Sequence, residues 1–257
     1  MEIYGRGVRL VRGLKGLKGV GGKRGGIYSF SPASKRRLKW AAANAYPELI
    51  TTFALTYHER KANGRELKRD LKVFNDAFNR KWGKVGKLWI LEFQKRGVPH
   101  LHIWVTLNYE EPGLRKWVGD TWNRIAEPSN QFHLWWHRDR KDKDGFYNVR
   151  PWDMKSGSYL CKYLDKEHQK RVPEGFKGVG RFWGPSKGLV PDPVEIDSDA
   201  AGGEKVWITL VRSVCRHHEA SLRRSPWKSR ARQTMTSYRL QNGAAPARRL
   251  LKDEGEI

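Results

Sequence analysis

The sequence predicts an α+β fold, a central antiparallel sheet with flanking helices carried on one face. Three observations lead there. Runs rich in β-branched and aromatic residues recur at 50–58 (ITTFALTYH), 87–94 (KLWILEFQ) and 100–107 (HLHIWVTL). The last two are joined by KRGVP at 95–99, a turn composition that makes them a hairpin. Segments of helical period stand on either side of these runs.

The elements follow in order. Residues 31–45 read as a short basic helix, with Ser31 as cap, Pro32 in the first turn and Leu38, Ala41 and Ala42 as its apolar edge; Pro47 ends it. In 66–82, Leu67, Leu71, Phe74 and Phe78 recur at helical spacing between charges. A second amphipathic helix covers about 113–126, with Leu114, Trp117, Val118, Trp122 and Ile125 inward. FHLWWHR, 132–138, reads as a short strand, although His133 and His137 also stand at helical spacing, so neither enters the site. KDKDG at 141–145 is a turn and FYNVRPW resumes extended structure. A third helix is expected over about 153–169. The Gly- and Pro-rich stretch 172–195 is expected to be irregular, and KVWITLV at 205–211 a last strand. The simplest partition is a flexible basic Gly-rich arm (1–27), one domain (28–215) and a basic extension (216–257).

Charge narrows the function. The 257 residues carry 51 Lys and Arg against 27 Asp and Glu, a formal charge of +24, so a polyanionic partner is expected rather than a neutral metabolite. Hydrophobic residues make up 38% with 12 Trp, too many for a wholly disordered basic tail. Cys161 and Cys215 supply neither a disulfide framework nor a thiolate metal cluster and suit a reducing compartment. No apolar run is long enough to span a bilayer, and the first ten residues lack a signal core. These features predict a cytoplasmic protein with no membrane partner. Gly22-Lys23 is followed by Arg24, and Leu17 stands where a phosphate-binding loop needs Gly, so that motif is absent.

Two constellations carry chemistry. His100 and His102 lie two apart on a strand, so both imidazoles share one face about 6–7 Å apart at the backbone, with Leu101 and Ile103 on the other. In the hairpin, Glu92 on the preceding strand can add a carboxylate oxygen. A two-nitrogen, one-oxygen set suits Mg²⁺ or Mn²⁺ and leaves positions for substrate. The second constellation is YLCKYLDK, 159–166. Tyr159 and Tyr163 are four apart on one helical face, as are Lys162 and Lys166, each three residues after a tyrosine. A phenol of pKa about 10 is a weak nucleophile until a neighbouring cation favours the phenolate.

Together these residues resemble the HUH superfamily of rolling-circle replication initiators (Rep endonucleases) of plasmids and single-stranded phages. FALTYH at 53–58 is similar to the first motif, EFQKRGVPHLHIWV at 92–105 to the second and YLCKYLDK to the third, in the family's order over about 50–170. SPASKRRL at 31–38 and GRFWGPSKGL at 180–189 extend the likeness. The resemblance implies an RRM-like antiparallel sheet with His100, His102 and Glu92 as ligands of Mn²⁺ or Mg²⁺. It implies Tyr159 and Tyr163 as nucleophiles, Tyr163 matching the tyrosine of one-tyrosine relatives, with Lys162 and Lys166 offsetting charge. The implied activity is nicking and joining of DNA at an origin, leaving a 5′-phosphotyrosine link and a free 3′-hydroxyl. Its partners would be single-stranded or hairpin origin DNA, a host helicase, since no helicase motif follows in the sequence, and a host polymerase. Basic residues of the arm and of 212–249 would hold duplex backbone, and Trp135, Trp136 and Trp183 are candidates for base stacking. An HUH transposase shares the same chemistry, and a non-catalytic nucleic-acid-binding protein shares only the charge.

Overall fold

The computed structural model describes residues 2–3, 7–11, 26–59, 63–152, 171–195, 237–240 and 244–253. The chain divides into two compact units, residues 24–189 and residues 1–23 with 190–257.

The larger unit is built on a five-stranded antiparallel sheet. In chain order its elements are helix α1 (Pro32–Ala43), strand β3 (Thr51–Thr56), helix α2 (Gly64–Trp82), β4 (Lys87–Phe93), β5 (Pro99–Val105), helices α3 (Leu114–Ala126) and α4 (Gln131–Arg138), β6 (Arg150–Pro151) and β7 (Trp183–Pro185). Strand order is β6-β3-β5-β4-β7, which puts β5 in the middle. The antiparallel α+β architecture is therefore the one expected. The KRGVP turn closes the β4–β5 hairpin, with Gln94 N donating to Val98 O at 2.9 Å and Gly97 at φ 79°, a conformation that favours glycine.

Register sorts the side chains. Thr56, His100 and Glu92 are cross-strand partners, as are Ala54, His102 and Ile90, so these six share one face. Phe53 and Ile103, with Leu55, Leu101 and Leu91, occupy the opposite face. Helix α2 covers that second face, its Phe74 and Phe78 lying 6.0 and 6.3 Å from Phe53 between ring centres. From α3, Trp117 and Trp122 pack on Phe74. The chain can bury Leu67, Leu71, Phe74 and Phe78 together because they recur every three to four residues on α2. Asn63 starts this helix by accepting from Arg65 N and Glu66 N, while Glu66 returns to Asn63 N. Next to that cap, Gly64 is packed so closely that an added Cβ would lie 2.2 Å from Gly178 O.

The boundaries of α1, α2, α3, β3, β4 and β5 lie within a few residues of those expected. One element differs. The segment 132–138 is helical, not extended, because Asn130 caps it, its side chain accepting from His133 N at 2.9 Å. Two short strands, β7 and β8 (Val194–Glu195), interrupt the stretch expected to be irregular.

The smaller unit holds a four-stranded antiparallel sheet, β8-β1-β2-β9, from β1 (Glu2–Ile3), β2 (Val8–Val11), β8 and β9 (Ser237–Leu240), and helix α5 (Ala244–Asp253). Part of the segment read as a mobile arm thus forms strands. The helix expected over 153–169 and the strand expected over 205–211 lie outside the described residues. Among the described residues no helix is long and apolar enough to cross a membrane.

Candidate metal centre and DNA-cleavage site

Three of the residues singled out in the sequence come together on the open face of β5. The imidazoles of His100 and His102 stand 4.4 Å apart between ring centres, and His102 Nε2 lies 3.2 Å from Glu92 Oε2. Two neighbouring ligands of an octahedral ion at about 2.1 Å stand roughly 3 Å from each other, so this nitrogen and oxygen fit one divalent metal. Glu92 is buried, and a desolvated carboxylate needs such a cation or hydrogen bonds around it. His100 Nδ1 is hydrogen-bonded to Thr56 Oγ1, which orients the ring and leaves Nε2 as its ligand atom.

Thr56 is itself held from behind. Its carbonyl oxygen accepts from Trp122 Nε1 at 3.0 Å and faces His133 Nε2 at 2.9 Å and His137 Nε2 at 3.1 Å. The amide of Asn148 brackets Ala54, with Oδ1 accepting from its N–H and Nδ2 donating to its C=O, both at 3.0 Å. That fixes the remaining Asn148 N–H toward His137 Nδ1 at 3.3 Å, so Nδ1 accepts and Nε2 carries the proton. Asn123, oriented with its nitrogen toward Glu127 O, Asn130 O and His133 Nδ1, sets the same tautomer on His133.

His58, just after β3, completes a second histidine cluster. One ligand atom from each of His58, His133 and His137 lies within 4.8 Å of the others, and such a trio can coordinate a divalent metal. His58 Nδ1 is buried with no hydrogen-bond partner among the described residues. Two facts set this trio apart from the Glu92 set. His133 and His137 are fully buried, and both nitrogens of each are engaged in the hydrogen bonds just described. The β5 pair instead lines an open cavity. The Glu92, His100 and His102 set is therefore the better candidate for a metal that must also meet a substrate.

Burial lowers the pKa of all three clustered histidines, His58 from 6.5 to about 4 with His133 as the second cause, and His137 well below 6.5. A depressed folded pKa stabilises the fold above the unfolded value and loses that contribution as pH falls through the folded one. Urea midpoints are expected to drop from pH 6.5 to about pH 4, the His58 value. A His137→Gln variant should show a shallower drop; an equal slope in both proteins would refute the assignment.

The cavity beside His100 and His102 is about 210 Å³ and is also lined by Trp136, Arg140, Phe146, Tyr147 and Arg150. Arg140 lies flat on Trp136, 3.6 Å from the ring centre. Arg150 is paired with Asp142 at 2.8 Å.

Residues 50–168 match the family model of the replication-associated protein ORF2. The chain carries a domain of this HUH Rep family over part of its length. The match covers β3 to β6 and continues over Tyr159, Lys162, Tyr163 and Lys166, which lie outside the described residues. No curated protein and no solved structure matches the chain significantly. The family match makes replication-initiator nuclease activity plausible and implies nucleic acid as the partner.

Reading the sequence alone missed Thr56 as an orienting group, Asn148 as a bracket and the histidine cluster. The His133 to His137 spacing was the available signal, and the aromatic LWW between them obscured it. Of the tryptophans expected to stack bases, Trp136 lines the cavity. Trp135 is exposed, and Trp183 on β7 donates to Ser34 Oγ at 2.8 Å.

Proposed function

We propose that the protein nicks and rejoins single-stranded DNA at a replication origin, with Tyr159 or Tyr163 as nucleophile. The observation that carries this reading is the Glu92, His100 and His102 set on the central strand, within a replication-associated domain whose match extends over both tyrosines. The phenolic oxygen bonds to the phosphorus of the scissile phosphodiester and the P–O3′ bond breaks. The product is a 5′-phosphotyrosine, and the strand upstream leaves as a free 3′-hydroxyl. A 3′-hydroxyl attacking the phosphotyrosine reverses the step and joins strands. Glu92, His100 and His102 would hold Mn²⁺ or Mg²⁺, whose charge polarises the phosphate. Thr56 keeps His100 oriented, and Lys162 or Lys166 offsets charge developing on the phosphate. The free 3′-hydroxyl then primes rolling-circle synthesis, for which a host helicase and polymerase are the expected partners.

The test is direct. The protein is incubated with Mn²⁺ and single-stranded oligonucleotides tiling the replicon that encodes it, then run on a denaturing gel. A band shifted by covalently attached DNA, removed by nuclease, is the expected result. Oligonucleotides cut without any adduct would replace tyrosine attack by water, and no cleavage at all would leave a binding protein.

A further inference from the structure

We propose that the cavity between β5 and the α4–β6 segment is a binding site for one unstacked nucleotide of single-stranded DNA. In it, Arg140 grips the phosphate and Phe146 takes the base. This rests on the site being the DNA-cleavage centre, and it names how the strand is held there. Three features of the cavity carry it. Its volume of about 210 Å³ leaves no room for a base pair, so a strand must unstack to enter. Arg140 has its guanidinium face on Trp136 and forms no ion pair among the described residues, in contrast to Arg150, which Asp142 neutralises. Stacking fixes the plane of that cation and leaves its N–H edge for a phosphate oxygen.

The third feature is aromatic continuity. Phe146 is 48% exposed, an unusual cost for an apolar ring in water that a stacked base would relieve. The ring of Tyr147, by contrast, already has the Arg115 guanidinium over it at 4.2 Å, so Phe146 is the ring left to a base. From Trp136 the aromatic surface runs outward along α4 to Phe132, 6.0 Å away, and on to Trp135, a further 5.7 Å. Phe132 and Trp135 are both exposed. Neighbouring bases of one strand can lie on these rings while a single nucleotide occupies the cavity beside His100 and His102.

Fluorescence anisotropy of a labelled single-stranded oligonucleotide across a salt series tests this on the full chain. Arg140→Met keeps the side-chain stem over Trp136 and removes the charge; Phe146→Ala alters an exposed ring and spares the core. Arg140→Met should flatten the slope of log affinity against log salt by about 0.7, the value for one lost phosphate contact on a single strand. Phe146→Ala should weaken binding about tenfold with the slope unchanged, as loss of one stacked base does. A blunt duplex should bind wild type and both variants alike. Wild-type affinity and slope in both variants, or equal losses on duplex and single strand, would overturn the proposal. The covalent-adduct assay run in parallel separates the two readings. Adduct formation with unaltered variant binding removes only the nucleotide site, whereas variant-specific binding loss without any adduct removes only the nicking activity.

Discussion

Replacing Tyr159 and Tyr163 together by Phe is expected to abolish the covalent protein–DNA adduct, by a factor on the order of 10³ or more, while leaving affinity for the oligonucleotide unchanged. The reason is chemical. Phenylalanine keeps the ring and its packing but has no oxygen to form the phosphoester, so binding and cleavage part company. The single variants rank the two positions: Tyr163→Phe should suppress the first cleavage more than Tyr159→Phe does, in line with the one-tyrosine relatives. Denaturing gels give the adduct and anisotropy gives the affinity. Cleavage at the wild-type rate in the double variant would remove both residues from the mechanism.

The second large effect concerns which histidines hold the metal. His102→Ala should eliminate high-affinity Mn²⁺ binding, followed by calorimetry or electron paramagnetic resonance, together with metal-dependent cleavage. Thr56→Val, which removes the hydroxyl on His100 Nδ1, should cost about 10–100-fold in metal affinity, the usual effect of losing an orienting partner. His133→Gln should leave the Mn²⁺ affinity intact, since His133 spends both nitrogens on Thr56 O and Asn123. The reverse pattern, with Mn²⁺ lost in His133→Gln and kept in His102→Ala, would move the metal to the buried trio. Circular dichroism of each variant separates loss of metal from loss of fold.

These experiments bear on a site whose parts were unequally visible beforehand. The His100–His102 pair needed only the two-residue period of a strand, and Glu92 needed only the hairpin closed by KRGVP. Both are short-range relations. Helix α2 was equally legible, because Leu67, Leu71, Phe74 and Phe78 mark one face by themselves. Helix α4 was not. FHLWWHR has the composition of a strand, and what decides for helix is the Asn130 cap together with burial of His133 and His137 against Thr56 O.

The sequence by itself thus determined the antiparallel α+β plan, the hairpin bearing Glu92, His100 and His102 and the polycationic character. All of these follow from local period, turn chemistry and charge count. Only the tertiary structure decided that the carbonyl of Thr56 meets Trp122, His133 and His137, that Asn148 brackets Ala54 ninety-four residues away, and that Arg140 on Trp136 stands in the cavity beside the histidine pair. The physical reason is that a residue's type and period say which face it prefers but not what that face will meet. Which distant segment supplies the partner for a buried polar group is settled when the whole chain packs.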